Sequence, residues 1–264
     1  MHIINGIAFD DLSKVNGVDT GSIHKVNGVI IPPSFSNLWA ARGNGISSYG
    51  FNSAIDDNLK LLDTFSVSLW VYPNARLNNQ YIFELSDDRR GGTFGPQKFL
   101  FYISQGTAGG TILFNVRTND ISGNRIWFQY FNYPINEWYN LVFRVGVNSL
   151  DLSINGVLKT PNIVNNNTQS GNMARPNRMS VGAQWVPGYY RYFTQFDYDE
   201  LNIFNRHLTS GEITQLAEGA RNVSSWSGLV GSWRFENNGE DSAGDNDLTL
   251  STFGFTNANL PPEA

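Results

Sequence analysis

Residues 65–71 of the 264-residue chain read FSVSLWV, and this stretch decides the fold. Its four apolar residues at odd-numbered positions alternate with polar or aromatic ones, so they fall on one face of an extended strand. Similar short segments recur along the chain, with Asn, Gly, Asp and Pro between them. They are residues 98–103, 112–116, 127–130, 138–145, 150–154, 157–158, 179–182 and 198–204. This pattern predicts an all-β protein, an antiparallel β-sandwich.

One short helix is predicted, directly after the last of these strands. Thr209 and Glu212 have the spacing of a capping box, in which each side chain accepts a hydrogen bond from an otherwise free backbone amide. Ile213, Leu216 and Ala217 follow at helical spacing. A single helix without alternating strands and helices argues against a parallel sheet.

The composition excludes several classes of protein. The chain has no cysteine, which excludes a disulfide scaffold, a thiol nucleophile and a Cys-based zinc site. Its net charge of −5 offers no basic surplus for nucleic acid or anionic lipid. No apolar run approaches the roughly 20 residues of a membrane span. Because the first residues also lack the pattern of a signal peptide, we expect neither membrane insertion nor secretion.

The first 33 residues differ from the rest because they contain an 11-residue repeat. Asn-Gly pairs begin at Asn5, Asn16 and Asn27, each flanked by Ile or Val. Asn-Gly favours a tight hairpin turn, so each copy is predicted to be a strand, a turn and a strand. One such hairpin is too small to be stable alone, which favours an assembly segment; a partly ordered arm is the alternative. Pro32-Pro33 then reads as a linker to a domain over residues 34–264.

Five motifs occur in an order that is informative as a set. They are FSVSLWVYP at 65–73, NEWYNLVF at 136–143, LDLSINGV at 150–157, FDYDELNIFNRHLT at 196–209 and GLVGSWRFE at 228–236. The set resembles the laminin-G-like jelly rolls of the concanavalin A-like lectin/glucanase superfamily. In that family the last motif usually opens the domain, whereas here it lies near the C-terminus. We therefore expect residues 227–252 to join the same sandwich as permuted strands, since Trp233 and Phe235 would otherwise be exposed.

The repeat suggests a role for the whole chain. Its second and third copies read KVNGV and resemble short repeats at the ends of bacteriophage virion proteins. The resemblance implies a structural or adhesive virion component, such as a capsid decoration, head-fibre or tail protein. Such a protein would be made in the host bacterial cytoplasm, contact other virion proteins through its arm and form a homo-oligomer. The alternative is a free bacterial carbohydrate-binding module.

Catalysis is the least favoured interpretation. Retaining glycosidases need two carboxylates about 5 Å apart, and enzymes of this fold place them on one strand as Glu-x-Asp-x-(x-)Glu. The nearest match, DYDELN at 197–202, lacks the first Glu and has Asn202 where a further acid would stand. Asp199 and Glu200 are adjacent, so a regular strand points them to opposite faces. We therefore predict that the protein is not an enzyme.

A structural calcium ion is a candidate cofactor. Asp199 shares strand parity with Leu201 and Ile203, which predicts that it points into the core and needs a partner. The loop at 237–247, NNGEDSAGDND, is rich in the oxygen ligands that calcium prefers. The family resemblance implies Asp241 as the ligand, with Asp199 and Asn246 as further candidates. The alternative is an ordinary loop of Asx turns.

A carbohydrate site is predicted at residues 184–192, QWVPGYYRY. The rings of Trp185, Tyr189 and Tyr190 could stack on the faces of a sugar, while Arg191 supplies hydrogen bonds. A protein–protein contact explains the same cluster, because Tyr and Trp are also enriched at interfaces.

Overall fold

The computed structural model describes residues 37–59, 64–75, 77, 80–86, 134–146, 151–159, 176–186, 188–220, 222–258 and 260–262, and elsewhere only the backbone of strand and helix residues. The chain divides into two compact units, Met1–Ser36 and Asn37–Ala264.

The first unit contains three short antiparallel strand pairs, one in each copy of the repeat. They are β1 (Ile3–Ile4) with β2 (Ile7–Ala8), β3 (Lys14–Val15) with β4 (Val18–Asp19), and β5 (Lys25–Val26) with β6 (Val29–Ile30). In each pair the residue before Asn-Gly lies opposite the residue after it, which is the pairing that a two-residue turn predicts. Asn5, Asn16 and Asn27 themselves lie outside the described residues.

The second unit is built from two large antiparallel sheets, which confirms the predicted all-β sandwich. Its strands are β7 (Ala40–Arg42), β8 (Tyr49–Asn52), β9 (Phe65–Pro73), β10 (Gln80–Ser86), β11 (Phe99–Gln105), β12 (Thr111–Arg117), β13 (Arg125–Phe131), β14 (Tyr139–Gly146), β15 (Ser149–Ile154), β16 (Val157–Lys159), β17 (Asn162–Asn166), β18 (Arg178–Val181), β19 (Gln184–Val186), β20 (Tyr189–Arg191), β21 (Phe196–Phe204), β22 (Leu229–Trp233), β23 (Thr249–Ser251) and β24 (Gly254–Thr256). The first sheet has the order β17-β13-β12-β11-β10-β18-β8-β23. The second has the order β16-β15-β14-β9-β21-β7-β24, and β22 also pairs with β21. Strands β19 and β20 form a separate hairpin.

The main core lies between the two sheets. The alternating apolar residues of β9 enter it from the second sheet, and Phe83 and Leu85 enter it from the first. The C-terminal segment belongs to the same body, because β22 and β24 pair in the second sheet while β23 pairs with β8 in the first. Trp233 and Phe235 are accordingly buried in the shared core. The Trp233 indole donates to the Asn246 carbonyl at 3.0 Å.

Two helices occur among the described residues, one more than the sequence predicted. The predicted helix, α2 (Ser210–Ala217), has both hydrogen bonds of the capping box between Thr209 and Glu212. The additional one, α1 (Asp57–Lys60), is a single turn too short to show helical periodicity. Its start is stabilised by Asp56, whose carboxylate accepts from the Leu59 amide at 3.2 Å. No helix in the described ranges is long and apolar enough to cross a membrane.

Asp199 is buried, as the sequence predicted, but the face of the strand on which it was placed is wrong. The pairing of β21 with β9 shifts between Asp199 and Asn202, and Glu200 adopts a left-handed φ of 48°. This bulge-type irregularity reverses the alternation of the strand, so Tyr198 and Leu201 both face the core. Asp199 therefore lies on the opposite side, where it is buried and its carboxylate accepts a hydrogen bond from the Asn37 side-chain amide at 2.6 Å.

Candidate functional site

A cleft of about 600 Å³ lies on the face of the first sheet that points away from the core. In β18, Met179 and Val181 point into the core, so Arg178 points outward. The hairpin of β19 and β20 contributes further cleft residues. Five aromatic rings line the cleft: Tyr49, Trp185, Tyr189, Tyr190 and Phe193.

The rings offer both a buried and an exposed surface. Tyr49 and Tyr190 are stacked, with their ring centroids 3.9 Å apart and an angle of 24° between the planes. Tyr189, next to this pair in sequence, leaves 58% of its surface exposed. The exposed ring and the stacked pair together give the cleft flat apolar surface.

Arg178 connects two of the cleft residues. Its Nη1 donates to the Tyr190 hydroxyl at 3.2 Å, and its Cζ lies 4.5 Å from the centre of the Trp185 ring. Trp185 is only 8% exposed, so it offers little open surface for stacking. Burial raises the pKa of Tyr190 from 10 to about 12, which extends the protonated form of its hydroxyl further into the alkaline range.

A buried acid lies on the same side of the sheet. Glu84 of β10 is opposite Ser180 of β18 and has no solvent exposure. Burial raises the pKa of Glu84 well above its usual range; Ser86, the Trp185 backbone and the charges of Arg178 and Arg191 oppose this with smaller effects. Burial thus favours the uncharged form of Glu84.

Hydroxyl groups supply the remaining polar surface of the cleft. Ser47, Ser251 and Thr252 all line it, and the hydroxyls of Ser47 and Thr252 are 3.1 Å apart. Ser251 is opposite Tyr49 in the pairing of β23 with β8, which brings a hydroxyl next to the stacked rings. Hydroxyls both donate and accept, so this surface suits a ligand that is itself rich in hydroxyl groups.

The structure brings together three of the four residues predicted to bind carbohydrate. Trp185, Tyr189 and Tyr190 line one cleft, whereas Arg191 does not. The Arg191 Nε donates to the Gln184 side chain at 2.6 Å, and its guanidinium lies over the ring of Tyr192.

Sequence reasoning missed Tyr49, Arg178 and Phe193 as members of this cleft. Alternation within β18 signals that Arg178 and Ser180 face away from the core. Nothing local indicates that the hairpin and β8 meet on that face, because this depends on how distant strands pair.

The residues proposed for calcium fall into two separate groups of contacts. Asp241 accepts from the Asn246 backbone and side-chain amides at 3.3 Å, and from the Ser232 and Ala243 amides at 2.8 and 3.0 Å. Asp199 contacts Asn37 instead. Both Asp241 oxygens accept from N–H groups, which is the hydrogen-bond pattern of the Asx-turn alternative. No group of three or more His, Asp or Glu suited to a metal occurs in the described residues. Calcium stays a prediction from the sequence.

The acids of β21 are engaged in structural contacts. Asp197 accepts from Arg42 at 2.8 and 2.6 Å, and Glu200 lies 3.3 Å from Arg234. Asp197, Asp199 and Glu200 are all at most 3% exposed, and none lines the cleft.

Comparison with known proteins agrees with this architecture. A solved structure called a "putative carbohydrate binding protein" from Bacteroides ovatus has a TM-score of 0.63 and 12% identity, over 86% of this chain and 62% of that one. A heptameric SAP-like pentraxin from Limulus polyphemus has a TM-score of 0.53 and 15% identity, over 81% and 95%. NanB sialidase from Streptococcus pneumoniae has a TM-score of 0.50 and 19% identity, over 66% and 27%.

At these low identities the TM-scores show a shared fold alone, and this chain spans less than two thirds of the Bacteroides protein. No curated protein matches the sequence. The Laminin_G_3 family model, described as the concanavalin A-like lectin/glucanases superfamily, matches residues 56–214. Because that match covers more than half of the chain, the protein belongs to the concanavalin A-like lectin/glucanases superfamily.

Proposed function

We propose that this protein is a non-enzymatic, lectin-like binding protein that holds a glycan in the aromatic cleft. The observation that carries the proposal is the cleft itself, in which the exposed ring of Tyr189 lies beside the stacked pair of Tyr49 and Tyr190. Sugars present flat apolar faces that pack on aromatic rings, and their hydroxyls need donors and acceptors around the edge. Tyr190 and the hydroxyls of Ser251 and Thr252 supply these groups.

The position of the acids supports binding without catalysis. A glycosidase needs one carboxylate to donate a proton and a second to attack or activate water. Asp197 and Glu200 are instead paired with Arg42 and Arg234, and Glu84, on the cleft side of the first sheet, is fully buried. The B. ovatus protein is named as carbohydrate binding, whereas the NanB neighbour is a sialidase of which this chain covers only 27%.

A glycan array with the full chain tests the proposal. We expect binding to at least one glycan and loss of that binding in the Tyr189→Ala and Tyr49→Ala variants. Tyr192→Ala is the matched control, because Tyr192 is a partly exposed ring at the end of the same hairpin that does not line the cleft. An array without signal, or binding that survives both cleft substitutions, would contradict a glycan site here.

The repeat arm supports a wider role as a virion component, such as a capsid decoration, head-fibre or tail protein. Three short hairpins with little apolar surface of their own suit a segment that pairs with other virion proteins or with other copies of this chain. Several copies on one particle would raise weak sugar contacts to useful avidity. Deletion of residues 1–33 is expected to abolish incorporation into particles while leaving the cleft intact. Unchanged incorporation would favour the alternative, a free bacterial carbohydrate-binding module.

A further inference from the structure

The turn between β23 and β24 has a strained backbone at the edge of the aromatic cleft. Thr252 adopts a left-handed φ of 52° and is one of the residues that line the cleft. A β-branched residue rarely adopts this conformation, because its Cβ comes too close to the backbone. Glycine adopts it without steric cost, so the turn by itself does not explain a threonine at this position.

The surrounding structure fixes the conformation of Thr252. The turn passes from the first sheet to the second, and the next residue, Phe253, packs edge to face on the buried Tyr198 ring at 6.0 Å. The buried Ser48 hydroxyl donates to the Thr252 carbonyl at 2.7 Å. The fold therefore sets the position of Thr252 before any ligand binds. Strain that a fold retains in this way occurs most often at sites with a function.

A chain of hydrogen bonds determines what the Thr252 hydroxyl can do. The Asn44 side-chain oxygen accepts from the backbone amides of residues 46–48 at 2.8 to 3.1 Å, which identifies the other end of this side chain as the NH2 group. This group donates to Ser47 Oγ at 3.1 Å, and Ser47 Oγ lies 3.1 Å from Thr252 Oγ1. The two hydroxyls carry two protons and use one of them between each other. One proton is left to donate to a ligand, and lone pairs are left to accept.

We propose that Ser47 and Thr252 recognise two adjacent free hydroxyls of a sugar ring, and that Thr252 is the residue that determines this specificity. The inference rests on the proposed function, because it names what the same cleft requires of its glycan. Adjacent hydroxyls of a sugar have a spacing similar to that of the two side-chain oxygens. One sugar hydroxyl accepts the remaining proton, and the other donates to a lone pair.

The rings and the two hydroxyls can contact the same sugar. Ser251, the residue before Thr252, lies opposite Tyr49 in the pairing of β23 with β8. Tyr49 in turn stacks on Tyr190. The face of the sugar packs on the rings, while its edge reaches the hydroxyls of Ser47 and Thr252.

Methyl glycosides of glucose, galactose and mannose test this recognition in the unmodified full chain. NMR titration compares each parent with its 3-deoxy form, which has no two adjacent ring hydroxyls, and with its 6-deoxy form, which keeps them. At least one parent should bind, and its 3-deoxy form should bind about fivefold more weakly, as expected for one lost hydrogen bond. Its 6-deoxy form should bind like the parent. Equal affinity of the parent and 3-deoxy forms, or an equal loss in both deoxy forms, would overturn the inference.

Substitutions of Thr252 separate recognition from strain. Thr252→Gly removes the hydroxyl and the strain together. The melting temperature should rise by roughly 2–4 °C, because the relieved strain outweighs the extra freedom of glycine in the unfolded chain. The affinity for the parent glycoside that binds should fall about fivefold. Thr252→Ser keeps the hydroxyl and should keep the affinity.

Asn136→Gly is the matched control for the relief of strain. Asn136 is an exposed residue with a φ of 63° that does not line the cleft, so this variant should bind like the wild type. Unchanged affinity in Thr252→Gly would overturn the inference. An affinity that falls only together with the melting temperature would assign Thr252 a structural role and would overturn it as well.

The two proposals fail in different ways. If a parent glycoside and its 3-deoxy form bind the wild-type chain equally, the glycan site stands and only the recognition of adjacent hydroxyls is wrong. The same holds if glycans bind on the array but none of the three parent glycosides binds. If no glycan and no glycoside binds, both proposals are wrong. The titrations of the wild-type protein do not depend on whether the Thr252 variants fold.

Discussion

Strand β21 and the aromatic cleft use charged side chains in opposite ways. On β21 the three acids are buried and contact Arg42, Asn37 and Arg234, so they hold strands and loops together. In the cleft, Arg178 is only partly buried and lies among rings and hydroxyls that face solvent. The difference shows that the acid-rich stretch of β21 in this chain contributes structural contacts. What matters is whether the charge lies at an accessible surface.

Residues of the core have a purely structural role, and we expect their substitution to cause the largest loss of stability. Trp233→Ala should lower the free energy of unfolding by about 3–5 kcal/mol, because it empties a large site in a shared core. Denaturant unfolding of the full chain measures this. A loss below about 1 kcal/mol would mean that the C-terminal strands are not part of the same packed body.

Substitution of Asp197, one of the buried acids of β21, should have the next largest effect on the free energy of unfolding. Asp197→Asn removes a charge that accepts from Arg42 and from Asn74 at 2.9 Å, so we expect a loss of about 2 kcal/mol. Because Arg42 is 44% exposed, part of its charge remains solvated and the loss should stay below that of a fully buried pair. The comparison with Asn74→Ala in the same unfolding assay shows how much belongs to the ion pair. An unchanged stability in Asp197→Asn would contradict a structural role.

The cap of α2 gives a pH-dependent test. The hydrogen bonds of Arg206 lower the pKa of Glu212 from 4.5 to about 2. Because the folded-state pKa is the lower one, this stabilisation is present above pH 4.5 and is lost as the pH falls toward 2. Glu212→Gln should remove roughly 1 kcal/mol at neutral pH and flatten that part of the stability profile. A variant with the same acid-side slope as the wild type would show that another group is responsible.

Substitutions in the cleft should change the free energy of unfolding least and glycan binding most. Tyr189→Ala truncates a ring that is 58% exposed, so the free energy of unfolding should change by no more than about 0.5 kcal/mol. Glycan binding by the same variant should be lost. A large loss of stability without loss of binding would place Tyr189 with the structural residues and reverse the comparison.

Local patterns in the sequence predicted the elements of the sandwich but not every orientation within them. The predictions of an alternating apolar face on β9 and of a capping box at Thr209 are confirmed, because each feature depends only on residues that are close in the sequence. The strand face predicted for Asp199 is wrong, because strand parity assumes regular pairing. The irregularity at Glu200 reverses the alternation.

The residues of the candidate site could likewise be predicted only where they are close together in the sequence. Trp185, Tyr189 and Tyr190 could be grouped because they lie in one hairpin, but Arg191 turns toward Gln184. Tyr49 and Arg178 come from strands distant in sequence, and only the order of strands in the first sheet brings them together.

The most direct test of the glycan site is a crystal structure of the full chain with the glycan that binds best on the array. Our account predicts a sugar ring packed against Tyr189 and the stacked Tyr49–Tyr190 pair, with polar contacts to Ser251 or Thr252. A sugar bound on any other face of the molecule, with the cleft left to solvent, would contradict it.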